Sequence, residues 1–351
     1  MSTTSTPTIK TRFLIISDTH GTKPKPNPGT DPSNQDGVGP GDIKASEQEY
    51  ITFQDPLPEA DVVLHCGDLT KHSRLREFKD TFDWLRAVRA PLKLVIAGNH
   101  DFALDEEYYY RAWDGKPATV AGVRSIIKEA AADGVYYLDE GTYDFNLQNG
   151  ARLSIYASQC TPSFGGWAFQ YTGSHDFNIP PGVDVAMTHG PPLGVNDFAL
   201  LGGTNAGCPD LFRAVHRARP KIHCFGHIHE AWGAMLASWN DDNEGPVCFT
   251  KSIDLATSQS LTLEHLGMQP TWRLAEQEED KVHMKMLEAT CKPGGISVDL
   301  TQGPTKLVNE KQTLFVNAAT MTRRYRANQP GWLVDIDLKR TDETSAMDLG
   351  Q

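Results

Sequence analysis

The feature that most constrains this chain is a repeated juxtaposition. An apolar, mostly β-branched run is followed, at once or within two residues, by a short polar island. The runs are Phe13-Leu14-Ile15-Ile16, Val62-Val63-Leu64, Leu94-Val95-Ile96, Val183-Asp184-Val185-Ala186-Met187 and Ile222-His223-Cys224-Phe225. The islands are Asp18-Thr19-His20, Gly67-Asp68, Gly98-Asn99-His100-Asp101, His189-Gly190 and Gly226-His227-Ile228-His229. A buried strand ending in Asp, Asn or His delivers a polar group to the carboxyl edge of a sheet, where α/β proteins gather their sites. Five such deliveries describe one site assembled from most of the chain, and an α/β fold.

Strand and helix signals alternate around these islands. Thr11–Ser17, Asp61–Gly67, Leu92–Gly98, Asp184–Thr188 and Ile222–Gly226 read as strands, with Thr313–Ala318 and Trp332–Leu338 as closing strands. Leu75, Phe78, Phe82, Leu85 and Val88 recur at helical steps, which predicts an amphipathic helix over Leu75–Val88. A second helix is expected over Val123–Ala132, and a third opens at Pro209, a residue suited to the first helical position. Tyr143–Ala157 alternates about Asn149-Gly150, a hairpin signal. Thr22–Ala45, rich in Pro, Gly, Asn and Asp, reads as a long surface loop. These signals predict one domain over 11–340 with an insertion at about 234–311, flanked by tails at 1–10 and 341–351.

The bulk numbers narrow the partners. A formal net charge of −12 argues against a nucleic-acid polymer, whose binders carry a basic face. The first residues lack an apolar signal core and no run approaches membrane-spanning length, so an intracellular, cytoplasmic location without membrane contact is expected. The six cysteines show no C-x-x-C pairing and read as reduced thiols. Oligomeric state is not written in the sequence.

Seven groups at the strand ends can bind metal: Asp18, His20, Asp68, Asn99, His189, His227 and His229. Seven are too many for one tetrahedral ion and suit two ions sharing a carboxylate. Carboxylate, amide and imidazole donors without thiolate suit Mn, Fe or Zn. If extended geometry persists past the strands, Asp18 with His20, and His227 with His229, each aim two ligands at one centre. Two divalent ions outweigh two carboxylates, so an acidic protein still attracts an anionic phosphate there.

In this order the islands resemble the calcineurin-like metallophosphoesterase superfamily, with its D-x-H, G-D, G-N-H-[D/E], H and G-H-x-H motifs. The likeness runs from Asp18 to His229. Ile96-Ala97-Gly98-Asn99-His100, Thr188-His189-Gly190-Pro191-Pro192-Leu193-Gly194 and Phe225-Gly226-His227-Ile228-His229-Glu230 look like the small metallophosphoesterase-domain-containing proteins, associated with cyclic-nucleotide phosphodiesterase activity. Asn317-Ala318-Ala319 is similar to that family's closing strand.

The resemblance implies a four-layer αββα sandwich of two mixed sheets flanked by helices. It implies that Asp18, His20, Asp68 and His229 hold one ion, and Asp68, Asn99, His189 and His227 the other. It further implies in-line attack on phosphorus by a bridging hydroxide. His100, outside the ligand set, is then the candidate to contact phosphate and protonate the leaving oxygen, with Asp101 orienting it.

The expected substrate is a small phosphodiester, cyclic nucleotides being the favoured class. A protein or small-molecule phosphomonoesterase is the first alternative, although Gly67-Asp68-Leu69-Thr70-Lys71-His72 lacks the arginine that protein phosphatases place there. A weakly active nucleotide-binding protein on the same fold is the second. Gly166-Trp167-Ala168-Phe169-Gln170-Tyr171 could wall the pocket or simply pack beneath a loop. Asn196, Asp197 and Gly207-Cys208 could touch substrate or only shape a turn. His65, His72, His175, His216 and His223 read as structural or surface residues.

Overall fold

The apolar runs turn alternate residues toward two different neighbours, and this builds the layers. Phe13 and Ile15 join Val62, Leu64, Leu94, Ile155, Val185, Met187, Ile222 and Val316 in one core between two sheets. Leu14 and Ile16 point the other way, into a second core with Val63, Phe78, Phe82, Leu85 and Val123. Tyr156, Ala186, Phe225 and Phe315 form a third core with Leu211, Phe212 and Val215. Strands buried on both faces read as continuous apolar runs rather than alternations, as these do.

The structure is a computed structural model and describes residues 7–26, 53–200, 202–242, 245–254, 261–262, 291–292, 295–327 and 329–341. Its centre is two mixed seven-stranded sheets. In order, the first holds 291–292, Gly295–Asp299, Gly331–Lys339, Thr8–Ile16, Val62–His65, Leu92–Val95 and Val135–Tyr137. The second holds 261–262, Gly233–Ser238, Gln312–Asn317, Ile222–Phe225, Val185–Thr188, Arg152–Ser158 and Gly141–Asn146.

Helices α1 (Leu75–Ala87) and α3 (Pro117–Ala130) cover the first sheet, and α4 (Pro209–Ala218) covers the second. A short helix, α2 (Glu106–Ala112), precedes α3. The expected αββα layering is therefore what forms. At the start of α1 the Glu77 carboxylate accepts the Arg74 backbone N–H at 2.9 Å, and at the start of α4 the Cys208 sulfur accepts Leu211 N–H at 3.2 Å.

Several boundaries differ from the expectation. Thr8–Lys10, assigned to a tail, are strand: they pair with Asp337–Lys339 across an antiparallel ladder running to Ile15. The helix expected at Val123–Ala132 starts at Pro117, with proline at the favoured first position. Both ends of the 234–311 stretch belong to the sheets rather than to an insertion. Gly233–Ser238 pairs with Gln312–Asn317, and Gly295–Asp299 runs parallel to Gly331–Lys339. For the strands the reason is common: partners more than 35 residues away satisfy them, and no local periodicity records those partners.

The middle of that stretch, including Glu276–Asp280, lies outside the described residues, as do most of the 22–45 loop and both chain ends. Among the described residues no helix is long and apolar enough to cross a membrane. Cys66, Cys160, Cys208, Cys224 and Cys248 are free thiols.

Candidate metal centre

Thr8–Ile16, Val62–His65 and Leu92–Val95 run parallel in the first sheet; Arg152–Ser158, Val185–Thr188, Ile222–Phe225 and Gln312–Asn317 do so in the second. Their carboxyl ends meet. Ser17 bridges to Ala319 of the opposite sheet, and Thr320 N–H donates to the Ser17 carbonyl at 2.8 Å. The islands are laced by backbone hydrogen bonds: Asp18 N to Gly67 O at 2.9 Å, His20 N to Asp68 O at 2.9 Å, and Gly226 N to His189 O at 3.0 Å.

The chain does not stay extended past the strands, as the i, i+2 argument assumed. Asp18, His20, Asp68 and His227 take left-handed φ values of 53°, 46°, 52° and 68°. Such backbone costs a non-glycine residue about 1–2 kcal/mol each, and it collects where surrounding structure holds side chains in place. These turns aim Asp18 and His20 at one centre. The backbone also presses close. A Cβ at Gly98 would lie 2.3 Å from the Asp68 Oδ1, and one at Gly226 only 1.9 Å from the Asp18 Oδ2.

Six of the seven predicted ligands have side-chain atoms in direct contact with one another, in two groups that share Asp68. In one, His229 Nε2 lies 3.4 Å from Asp18 Oδ1 and 3.3 Å from His20 Nε2, which is 3.5 Å from Asp68 Oδ2. In the other, His189 Nε2 lies 3.5 Å from Asp68 Oδ1 and 3.0 Å from Asn99 Oδ1. Asp18, His20 and His229 form one ligand-spaced cluster, and Asp18, Asp68 and His189 another. The seventh, His227, is less closely engaged. Its backbone N–H donates to the Asp18 carboxylate and its ring stands 4.9 Å from that of His189, but its ring nitrogens belong to neither cluster.

The ring nitrogens decide what this arrangement can hold. His20 Nδ1 faces the Thr70 carbonyl at 3.2 Å and His189 Nδ1 faces the Cys66 carbonyl at 2.9 Å. A carbonyl only accepts, so these Nδ1 atoms carry the hydrogens and each Nε2 presents a lone pair. Those lone pairs converge on carboxylate and amide oxygens, with no proton between them. Acceptors crowded on acceptors repel unless a cation lies among them, and histidine tethered through Nδ1 to a carbonyl is the usual support of a metal ligand. The donor set thus fits divalent metal.

Protonation fits too. Burial, partly opposed by the Asp68 charge, pushes His20 down to about 4, and burial with the neighbouring His189 pushes His227 down to about 4. Neutral imidazole is the ligating form. Burial would raise Asp18 and Asp68, but the surrounding histidines outweigh it and hold both carboxyls below their ordinary range. Burial would lower His229, but its hydrogen bond to Asp18 and the carboxylate charges raise it.

His100 borders this cluster. Its backbone N–H donates to Asp68 Oδ1 at 2.8 Å, its Nδ1 faces the Lys71 carbonyl at 2.9 Å, and its ring stands 4.8 Å from His20. The expectation that Asp101 orients His100 is not met: Lys71 does so. The Asp101 carboxylate instead accepts Gly98 N, Leu69 N, Thr70 N and the Thr70 hydroxyl, at 2.7–2.9 Å. It latches the turn after the second strand to the turn after the third. A fully buried carboxylate takes the donors nearest to it, here unpaired backbone N–H groups of two loops.

Trp167, from the stretch read as either a pocket wall or packing beneath a loop, sets its ring 4.6 Å from His100. Asp197 caps its own turn, accepting Gly194 N and Gly207 N, each at 2.9 Å. Two rim residues had no sequence signal in motif spacing. Tyr325 stands 5.0 Å from His20 and 5.3 Å from His229, and Lys71 Nζ lies 4.8 Å above its ring. The tight Arg323-Arg324-Tyr325-Arg326 run after the closing strand was the available clue.

The family model for calcineurin-like phosphoesterases matches residues 11–231, which takes in every island. The chain belongs to the calcineurin-like phosphoesterase family. Metallophosphoesterase domain-containing protein 1 of Homo sapiens is 32% identical over 255 residues, covering 68% of this chain and 66% of that protein. UPF0046 protein T07D4.2 of Caenorhabditis elegans is 31% identical over 50% of this chain and 48% of its own length. Probable rhamnogalacturonate lyase C of Emericella nidulans is 30% identical over 65% of this chain, a match that takes in only 18% of that protein. The chain thus spans less than two thirds of the length of each of these relatives. The family match covers the Asp and His residues just described, which are its candidate metal ligands.

Proposed function

We propose that this chain hydrolyses small phosphodiesters, with cyclic nucleotides the favoured class, at a centre of two divalent ions (Mn, Fe or Zn). The observation that carries the reading is the convergence of the unprotonated Nε2 atoms of His20 and His189 on the Asp68 carboxylate and the Asn99 amide oxygen, with Asp18 and His229 packed beside them. Asp18, His20, Asp68 and His229 would hold one ion, and Asp68, Asn99, His189 and His227 the other. When bound, such ions supply Lewis acidity, a nucleophile drawn from water at neutral pH, and charge to receive phosphoryl oxygens.

The chain's own residues do the rest. His100, with Nδ1 committed to the Lys71 carbonyl, has Nε2 left to carry a proton to the departing oxygen. Trp167 limits the ring's swing and offers an aromatic edge beside the reacting position. Lys71 supplies a cation at the rim, its Nζ 4.8 Å above the Tyr325 ring that stands beside His20 and His229.

The test is turnover of purified, Mn(II)-loaded protein on bis-p-nitrophenyl phosphate, on cyclic nucleotides and on p-nitrophenyl phosphate. Metal-dependent hydrolysis of the diesters, faster than of the monoester, is expected. Preference for the monoester would turn the assignment to a phosphomonoesterase. No turnover on any of them with both ions bound would leave the nucleotide-binding alternative.

A further inference from the structure

A second mixed cluster lies apart from the ligands above. Glu140 precedes the strand Gly141–Asn146, Cys160 follows the strand Arg152–Ser158 by two residues, and His175 comes shortly after the short strand Gln170–Tyr171. Their carboxylate, sulfur and imidazole atoms all lie within 4.8 Å of one another. Glu140 Oε1 accepts His175 Nε2 at 2.8 Å and the Tyr156 hydroxyl at 2.7 Å, and Oε2 accepts the Cys160 thiol at 3.6 Å.

We infer that Glu140, Cys160 and His175 are a separate zinc site that closes the base of the Trp167 loop. Thiolate, imidazole and carboxylate are zinc donors, whereas magnesium and calcium take oxygen sets. Three protein ligands leave one position for water in a tetrahedral shell. The cluster is open to solvent on the Glu140 side, with side chains 23% exposed at His175 and 29% at Glu140, so an ion can enter.

The outer contacts are those a metal site uses. Tyr156 OH holds the carboxylate, and the His175 ring is boxed by Phe177 at 4.6 Å and Tyr171 at 4.9 Å. Burial, reinforced by the Glu140 charge, pushes the Cys160 thiol up to about 12, so in the metal-free state its proton stays on sulfur. Zinc binding forms Zn–S, Zn–N and Zn–O contacts and sends that proton to solvent, while the imidazole hydrogen moves to Nδ1.

Placement gives the site its consequence. Cys160 and His175 bracket the segment that folds back through the Thr161–Pro162 and Gln170–Tyr171 pairing and carries Trp167 against His100. An ion joining its two ends removes loop freedom next to the candidate reaction centre. The inference stands independently of the phosphodiesterase reading, since its readouts are spectroscopic and analytical and need no turnover.

The experiment loads the full chain with Co(II), records its near-ultraviolet spectrum, and measures zinc content after dialysis of the zinc-loaded protein. A thiolate-to-cobalt charge-transfer band is expected in the unaltered chain, because the proposed phosphoesterase ligands contain no sulfur. Cys160→Ser abolishes the band and lowers zinc content by one equivalent, with the remaining ions retained; His175→Gln lowers zinc content equally. Should Cys160→Ser not fold, the unaltered chain and His175→Gln still decide. No charge-transfer band in the unaltered chain, or equal zinc content across the folded variants, overturns the inference and leaves a hydrogen-bonded clamp.

Discussion

The floor of the candidate site and its rim are built on opposite terms. The floor residues are sunk at strand ends, with Asp18 0%, Asp68 1% and His189 0% exposed, and several sit in left-handed backbone. The rim residues Lys71, Trp167 and Tyr325 stand on connecting loops, with Tyr325 43% exposed. Each floor histidine tied through Nδ1 to a backbone carbonyl has little freedom to adapt. Rim side chains meet it through ring and cation contacts worth about 0.5–1.5 kcal/mol each. The floor therefore keeps one geometry, whereas the rim can exchange side chains without moving it.

Removing the shared floor carboxylate is the harshest way to break this contrast. Asp68→Asn should lower kcat/KM by more than about 10³-fold, beyond the roughly 10²–10³ lost with one preorganised polar group. The same variant should show reduced metal content by elemental analysis, because both ligand groups lose a charge. A milder loss would mean that the two groups act independently.

His100 tests the boundary between floor and rim. His100→Asn should cost on the order of 10²-fold in kcat on a substrate with a poor leaving group, with metal content unchanged. With p-nitrophenolate, which leaves without a proton, the loss should shrink. An equal loss for both leaving groups would demote His100 from proton donor to structural support.

The layer just behind the floor should be visible in stability against pH. His223 donates through Nε2 to the Thr188 hydroxyl, which itself donates to the Gly190 carbonyl, and its Nδ1 is buried without a partner. Burial holds His223 down at about 3, and burial likewise holds His65 down at about 4. The unfolded chain therefore binds these protons first, from about pH 6.5 downward. Stability is complete above that pH and falls as pH drops toward 3–4, by up to about 1.4 kcal/mol per pH unit for each histidine. Urea unfolding between pH 7 and pH 5 should show a shallower slope in His223→Leu than in the unaltered chain. Equal slopes would place the acid sensitivity elsewhere.

The smallest expected effect is at the rim. Trp167→Ala should raise KM for nucleotide substrates by roughly 3–10-fold, about the worth of one aromatic contact. It should leave KM for bis-p-nitrophenyl phosphate, which carries no base, closer to its original value. Steady-state kinetics on the two substrates would show it, and a kcat collapse instead would draw Trp167 into positioning His100.

Much of the first sheet and most of the floor were legible because their signal is local. A doubly buried strand must be apolar throughout, and a ligand just past it must be Asp, Asn or His, so Val62–Leu64 before Gly67-Asp68 can be read without a partner in view. The Phe78, Phe82 and Leu85 spacing located α1 for the same reason. Thr8–Lys10, Gly233–Ser238 and Gly295–Asp299 were not legible as sheet members, because their hydrogen bonds are repaid by residues far along the chain. Asp101 was misread because its neighbour in sequence, His100, is not its partner in space. Tyr325 was missed because the basic run around it marks a segment of interest without saying that the turn returns over His20 and His229.

Resemblance of the motifs pointed to the family, and the order of apolar runs and polar islands determined the α/β class and the donor types at the carboxyl edges of the sheets. These follow from burial and from which side chains can bind metal, both properties of single residues in their local run. Tertiary structure decided which nitrogens of His20 and His189 face inward, how the Asp and His side chains group, and which loops stand over the floor. Those depend on carbonyls of Thr70 and Cys66 and on left-handed turns that only the closed pair of sheets holds in place.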